Sequence, residues 1–246
     1  MNTGRSIDPS PPAPLWNDCP NCSFIAWCTP ANLTAHQVRQ FGDRLEHRRL
    51  RKHHEYLHRI GAALISLYVI NSGFLRTSIT DDEGREQITG FSMPGDLVGM
   101  EAIATGRYQC DTITLEDSSV CGVAFADFQQ LNRDIPALQH HFHRALGSEI
   151  ARDHSMMMML GAMCAEERVA SFLLNLSQRF AARGCSATLF HLPMTRQDIG
   201  NYLGLEMETV SRAFSHLASS RLIAIHGKDV EIISVERLQQ TIRNRE

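Results

Sequence analysis

The segment over residues 134–164 restricts the fold of this chain more than any other stretch. Asp134 is suited to cap a helix, and Pro136 suits a first helical turn, where its missing N–H is not needed. Six positions then follow one another at steps of four and three residues, which is the spacing of a coiled-coil seam. These positions are Leu146, Ile150, Asp153, Met157, Leu160 and Cys164. We therefore predict a dimerisation helix over residues 134–164.

One of the six seam positions is an aspartate. In a symmetric dimer Asp153 would lie beside its own copy, and two carboxylates brought together out of water repel each other and raise each other's pKa. Such a seam makes a weak dimer, so that another part of the chain decides whether the dimer forms. We predict a dimer switch at Ile150, Asp153 and Met157. The alternative is an ordinary core helix on which Asp153 faces solvent.

The composition is that of a globular protein, with 43% apolar and 21% charged residues, and 246 residues are enough for two domains. The net charge of −3 gives no bulk positive field, so any DNA binding must come from local geometry. The N-terminus has no apolar segment typical of a signal peptide, and no apolar run reaches membrane-spanning length. We therefore expect a cytoplasmic protein without a membrane partner.

The first half of the chain changes pattern twice. Residues 1–18 contain four prolines and are predicted to be a flexible tail. Residues 33–51 read as a short amphipathic helix. Short runs rich in Ile, Val, Thr, Tyr and Phe, separated by glycine-bearing turns, then fill residues 53–123, which predicts antiparallel strands in a small barrel or jelly roll.

The second half carries a helix-turn-helix pattern. Thr195 and Asp198 form a capping box that opens a helix over residues 196–203, Gly204 makes the turn, and residues 206–218 form a second helix. A hairpin at Gly227 follows as a predicted wing, with Lys228 available for a DNA phosphate.

In this motif the N-terminal part of the second helix enters the major groove of DNA. Glu208, Ser211 and Arg212 are three and four residues apart and share one helix face. Arg can donate to guanine O6 and N7, Glu can accept from cytosine N4, and Ser can contact either base. We predict these three residues as base readers. The alternative is a solvated Glu–Arg pair on a surface helix.

The seven cysteines are odd in number and uneven in spacing, which favours a metal site over a disulfide framework. Cys19, Cys22 and Cys28 form a C-x2-C-x5-C motif, and thiolates are soft ligands suited to iron–sulfur clusters or zinc. A fourth ligand is needed. Cys110 and Cys121 are the candidates, and spacing alone does not choose between them.

Several motifs resemble the CRP/FNR superfamily of bacterial transcription regulators. They are QDIGNYLGL (197–205), ETVSR (208–212), QITGF (87–91), GDLVG (95–99) and AEER (165–168), and the E-x-x-S-R form resembles the FNR branch. The resemblance implies an α+β fold with a cluster-binding segment and β-roll sensor domain (19–133), a dimerisation helix (134–164) and a winged helix-turn-helix domain (165–246). Glu206 departs from the pattern, since relatives often have a hydroxyl cap there.

The resemblance also implies a cofactor and partners. LEDSSVC (115–121) is similar to the segment that carries the distant ligand of FNR-type proteins, which implies one [4Fe–4S] cluster per subunit on Cys19, Cys22, Cys28 and Cys121. It further implies an oxygen-sensing homodimer that is no enzyme. Such a dimer would bind inverted-repeat promoter DNA with TTGAT-like half-sites, contact RNA polymerase, and activate or repress genes of anaerobic metabolism.

Three alternatives stay open at this stage. A cyclic-nucleotide-responsive regulator has the same fold, but relatives of that kind carry an Arg-Ser or Arg-Thr pair where this chain has Arg107-Tyr-Gln. In place of a cluster, the same four cysteines would form a structural zinc site without redox sensitivity or would remain free thiols. An iron–sulfur enzyme is the third alternative, although no nucleophile–base pattern accompanies the cysteines.

Overall fold

The computed structural model describes Gln37, Gln40 and residues 42–50 and 54–243. The predicted tail over residues 1–18 and the cysteines at 19, 22 and 28 lie outside the described residues. In the part of the chain that is described, no helix combines the length and apolarity needed to cross a membrane.

The N-terminal domain consists of two four-stranded antiparallel sheets. The first has the order β1-β8-β3-β6 and the second the order β2-β7-β4-β5. The strands are β1 (Leu45–Leu50), β2 (Tyr56–His58), β3 (Ser66–Ser72), β4 (Leu75–Thr80), β5 (Glu86–Ser92), β6 (Leu97–Val98), β7 (Asp111–Thr114) and β8 (Ser118–Ala124). A short 3-10 helix (Met100–Ala104) follows β6. Most apolar side chains of these strands are buried, and the predicted antiparallel strands of a small β-domain are present.

The helix predicted over residues 33–51 is wrong in its second half, because residues 45–50 form strand β1. This strand pairs with β8 from Leu45 opposite Val123 to Leu50 opposite Ser118, and Leu50 is fully buried. A helical pattern in a short segment was overridden by pairing with a strand more than 70 residues away.

Two helices connect the β-roll to the C-terminal domain. Helix α1 (Phe125–Asp134) is followed by the long helix α2 (Pro136–Ala162). Pro136 is at the start of α2 as predicted, but Asp134 ends α1 and caps nothing, and Ile135 occupies the N-cap position. Cys164 lies beyond the end of α2 and is the N-cap of the next helix.

The C-terminal domain is a winged helix-turn-helix. Its elements are α3 (Ala165–Ala181), β9 (Leu189–His191), α4 (Arg196–Leu203), α5 (Met207–Ser219), β10 (Ile223–His226), β11 (Asp229–Ile232) and α6 (Val235–Arg243). The three strands form one sheet in the order β10-β11-β9. Helix α4 has the predicted bounds, and the predicted α+β fold class is confirmed.

One hydrophobic cluster extends across both domains. Phe91 of β5 packs against Phe172 of α3 and Tyr202 of α4, with ring centroids 6.0 and 5.1 Å apart. Ile88 and Met93 of the β-roll belong to the same buried cluster as the helix-turn-helix core. The C-terminal domain is therefore packed directly on the second sheet.

Candidate functional site

The first helix of the helix-turn-helix is fixed at both ends by local contacts. Thr195 Oγ1 accepts a hydrogen bond from the Asp198 amide at 3.0 Å, and the Asp198 carboxylate accepts one from the Thr195 amide at 2.8 Å. The turn after α4 places Gly204 at φ +63°, a backbone conformation that favours glycine. A Cβ at Gly200 would lie 2.5 Å from the Leu205 carbonyl oxygen, so glycine also permits the close approach of the turn to α4.

The second helix, α5, has one buried face and one exposed face. Val210, Phe214 and Leu217 are buried, as predicted. The Arg196 guanidinium lies 3.5 Å from the centroid of the Phe214 ring and covers it from the N-terminus of α4. The two helices are thus held together by apolar packing and by one cation–π contact.

The three predicted base readers lie away from this core. Glu208 and Arg212 are exposed, and Ser211 is half-buried. The Ser211 hydroxyl donates to the Met207 carbonyl at 2.9 Å, so it must turn away from its own helix to reach a base. In the described part of the chain, Glu208 and Arg212 form no ion pair with each other. Both charged groups are therefore available to an external partner.

The wing hairpin differs in one respect from the prediction. Gly227 has φ +65° in the turn, but Lys228 donates its ammonium group to the Pro193 carbonyl at 3.0 Å. This contact ties the wing to the segment before α4. Lys228 therefore has a structural contact that the sequence did not predict, in place of a free ammonium group.

Cys121 lies in the middle of β8, and its side chain is only 3% exposed. His47 of β1 is its partner across the sheet, with the imidazole Nδ1 2.9 Å from the thiol Sγ. Cys121 also belongs to a buried cluster that includes Leu131 of α1 and Leu138 in the first turns of α2. Cys121 is therefore packed in the same apolar cluster as the start of the long helix.

The other candidate for a fourth ligand has a less suitable environment. Cys110 Sγ lies 3.4 Å from the Glu101 carboxylate. Burial raises the pKa of the Cys110 thiol, and the Glu101 charge raises it further, so the thiolate that iron or zinc requires is disfavoured. Cys121, which has an imidazole as its neighbour, fits a metal–sulfur group better.

The three N-terminal cysteines lie outside the described residues, so Cys121 is the one predicted cluster ligand that the structure describes. Among residues 42–50 and 54–243, no group of three His, Cys, Asp or Glu side chains could hold a metal ion. Cys164 and Cys185 are free and exposed.

The predicted seam runs along the exposed side of α2. Ile150 is 55% exposed and Met157 is 61% exposed, and exposed Asp153 lies between them in sequence. Large apolar side chains left uncovered on one helix face mark a surface for association. Met159, which the seam spacing leaves out, is buried against the protein's own core.

A buried ionic cluster, missed by the sequence analysis, joins the three parts of the molecule at Asp96. The Asp96 carboxylate lies 2.5 Å from Arg179 of α3, 2.6 Å from Arg183 just after α3, and 3.6 Å from Arg152 of α2. It also accepts a hydrogen bond from the Met93 amide at 2.8 Å. Burial favours a higher pKa for Asp96, but the three guanidinium groups and this amide outweigh it and hold the pKa below its usual value.

Known proteins resemble both halves of this chain. The Crp-like helix-turn-helix domain family matches residues 167–241, and the cyclic nucleotide-binding domain family matches residues 48–134. The transcriptional activator protein anr of Pseudomonas aeruginosa is 40% identical over 87% of this chain and 88% of its own length. The fumarate and nitrate reduction regulatory protein of Escherichia coli is 39% identical over 90% of this chain and 89% of its own.

A solved structure shows the same arrangement of elements. FixK2 from Bradyrhizobium japonicum superimposes with a TM-score of 0.72 at 28% identity, over 80% of this chain and 96% of that one.

Proposed function

Because this chain belongs to the CRP/FNR superfamily of transcription regulators, on its FNR-type branch, we propose that it is an oxygen-responsive regulator. In this proposal it binds inverted-repeat promoter DNA as a homodimer while a [4Fe–4S] cluster is bound to each subunit. It is a DNA-binding regulator and not an enzyme. The TTGAT-like half-sites, the oxygen response and the contact with RNA polymerase are parts of the proposal.

The observation that supports the proposal most is the position of Cys121. This buried thiol lies in the same apolar cluster as Leu138 of α2, and its cross-strand neighbour His47 is on the strand that the N-terminal part of the chain leads into. Cys19, Cys22 and Cys28 would hold the cluster together with Cys121. The bound cluster supplies an oxygen-labile link between the N-terminal cysteines and the β-roll.

The rest of the mechanism uses this chain's own residues. Exposed Ile150 and Met157 pack against the partner subunit, and the two Asp153 carboxylates oppose that packing. The N-terminal segment, held at Cys121, stabilises the packing at Leu138. This stabilisation offsets the repulsion between the two Asp153 carboxylates. Loss of that support returns the chain to the monomer, and a change of about 1.4 kcal/mol is enough to shift the equilibrium about tenfold.

The dimer presents two copies of α5 to successive major grooves, with Glu208, Ser211 and Arg212 directed to the bases. A monomer engages one half-site and loses most of the affinity. The β4–β5 loop around Gly84 is the candidate surface for RNA polymerase, because residues 81–87 are exposed.

The experiment is a DNA-binding measurement with and without oxygen. Protein purified without oxygen is titrated into a labelled inverted repeat of TTGAT-like half-sites, and fluorescence anisotropy is followed before and after exposure to air. We expect tight binding that is lost in air together with the dimer. Binding that is equally tight in air would contradict the oxygen response and would support a zinc-held regulator.

A cyclic-nucleotide-responsive regulator is retained as the alternative, because residues 48–134 match a cyclic nucleotide-binding domain. The contacts of Glu101 and Arg107, which follow Gly99 in the chain, argue against binding of a cyclic nucleotide. Glu101 and Cys110 approach each other at 3.4 Å there, and a carboxylate repels a phosphate. Arg107 donates to the Gly61 carbonyl at 2.7 Å. DNA binding that appears only on addition of a cyclic nucleotide would favour this alternative.

A further inference from the structure

The outer edge of strand β5 is covered by a side chain of the DNA-binding domain. β5 is the last strand of its sheet and pairs only with β4 among the described strands. Asn201 of α4 occupies the free edge. Its Nδ2 donates to the Glu86 carbonyl at 2.8 Å, and its Oδ1 accepts from the Ile88 amide at 2.5 Å.

An asparagine amide carries one acceptor and donor N–H groups in the same geometry as a peptide group. Asn201 therefore makes the pair of hydrogen bonds that a neighbouring strand would make. A third bond runs from Gln87 Nε2 of the β-roll to the main-chain carbonyl of Asn201 at 2.5 Å. Three hydrogen bonds thus fix one residue of α4 to three successive residues of β5.

The hydrogen bonds of Asn201 affect the position of the recognition helix α5 through the residues that follow Asn201 in the chain. The next residue, Tyr202, packs on Phe91 with ring centroids 5.1 Å apart, so polar and apolar contacts hold α4 at the same place. Helix α5 follows α4 after the tight turn at Gly204, and a Cβ at Gly200 would lie 2.5 Å from the Leu205 carbonyl oxygen, so the turn into α5 packs closely on α4. Fixing Asn201 on β5 therefore fixes α5 relative to the β-roll.

We propose that Asn201 is a positioning residue that sets the distance between the two recognition helices of the dimer, and hence its selectivity for half-site spacing. This inference rests on the proposed dimeric binding of inverted repeats. A duplex places equivalent groove positions about one helical turn apart, roughly 34 Å, so one added base pair both shifts and rotates a half-site. A dimer whose recognition helices are rigidly docked binds DNA of altered spacing weakly. A dimer whose helices are loosely docked binds it nearly as well as DNA of the correct spacing.

The test compares Asn201→Ala with the wild type on three DNA duplexes, in which the half-sites have the preferred spacing or are one base pair closer or farther apart. We expect the preference for the correct spacing to fall by about tenfold, the change that corresponds to the loss of one or two net hydrogen bonds. Asn175→Ala is the matched control, because Asn175 is exposed on α3. This variant should keep the wild-type preference for half-site spacing.

Gln87→Ala is the second variant, because Gln87 belongs to the β-roll and lies on the other side of the contact. It loses one of the three bonds and should reduce the spacing preference in the same direction by a smaller factor. Gln87→Ala therefore tests the role of the contact even if Asn201→Ala does not fold.

Hydrogen exchange provides a readout without DNA. The Ile88 amide bonds to Asn201, so its exchange should accelerate in Asn201→Ala, while amides bonded between β4 and β5 stay protected. Equal loss of affinity on all three duplexes, or an unchanged spacing preference, would overturn the inference. A wild type that binds none of the duplexes under any condition would instead refute the proposed function.

Discussion

The imidazole Nδ1 of His47 lies 2.9 Å from the Sγ of Cys121, across the pairing of β1 with β8. The two residues are 74 positions apart in the sequence, and the contact joins the first described strand to the core under the long helix. A partner that hydrogen-bonds to a metal ligand orients it and affects how firmly the metal is held. The arrangement leads to the first prediction.

Replacement of His47 by alanine should make a bound cluster less stable. The variant loses the contact with Cys121 and should lose its visible absorption in air faster than the wild type, by about tenfold or more. The rate of bleaching at a fixed oxygen concentration measures this. Arg49→Ala is a control on the same strand, because Arg49 pairs with Ser119. Equal rates of bleaching for His47→Ala and the wild type would show that His47 does not stabilise the cluster.

Cysteine variants distinguish the two candidates for the fourth ligand. Cys121→Ala should lose iron and anaerobic DNA binding, because the other buried thiol, Cys110, is held protonated by burial and by Glu101. Cys110→Ala should retain both properties. Iron content and anisotropy on the inverted repeat are the measurements. The reverse result, with iron lost in Cys110→Ala, would show that the fourth ligand has been assigned to the wrong cysteine.

Removal of the seam carboxylate should uncouple dimerisation from oxygen. Asp153→Ala leaves Ile150 and Met157 without an opposing charge and should be a dimer that binds DNA in air. Sedimentation velocity in air gives the oligomeric state. Asp153→Glu keeps the charge and should remain a monomer under the same conditions. A monomeric Asp153→Ala protein would mean that the carboxylate is not what weakens the dimer.

The Asp96 cluster should contribute strongly to stability. Asp96→Asn removes the counter-charge of Arg179 and Arg183 and leaves buried cations, which typically costs about 3–5 kcal/mol of unfolding free energy. Urea unfolding measures the loss. Asp81→Asn is the matched control, because Asp81 pairs with Arg85 on the surface and should change little. Similar stability for the two variants would contradict the role of the buried cluster.

His58 should make stability depend on pH. Burial lowers the pKa of His58 from 6.5 to about 4, against smaller opposing effects of the Cys110 main chain and Asp111. The unfolded chain therefore binds more protons between these two values, and stability falls as the pH is lowered from 6.5 to about 4.

The total loss from His58 is about 3 kcal/mol, from the size of the shift. His58→Phe keeps the stacking on Tyr108, whose ring centroid is 3.8 Å away, and should remove this part of the slope. Urea unfolding at a series of pH values is the measurement. An identical slope in the variant would assign the pH dependence to other groups.

Local signals in the sequence predicted the DNA-binding domain well. The capping box at Thr195 and the glycine turn at Gly204 gave the bounds of α4 correctly, because both act within one helical turn. Strand β1 was missed because its conformation depends on pairing with β8, and no short segment carries that information. The end of α1 at Asp134 was missed because Asp134 is a residue type that favours the N-cap, whereas Ile135 occupies that position.

Contacts between distant parts of the chain were not predictable from one sequence. Asp96 meets Arg179 and Arg183 only after the C-terminal domain has packed on the β-roll, and Asn201 meets Ile88 in the same way. The sequence shows ordinary polar residues at each of these positions. The base readers and the cluster ligands were identified through motifs, and their roles stay predictions.

The central claim is that this chain holds an oxygen-labile iron–sulfur cluster. The most direct measurement is the visible absorption spectrum, with iron and sulfide analysis, of protein purified without oxygen and then exposed to air. A broad visible band that bleaches in air, with about four irons and four sulfides per chain for a [4Fe–4S] group, is the predicted result. A colourless protein that contains zinc, or a band that air does not change, would contradict it.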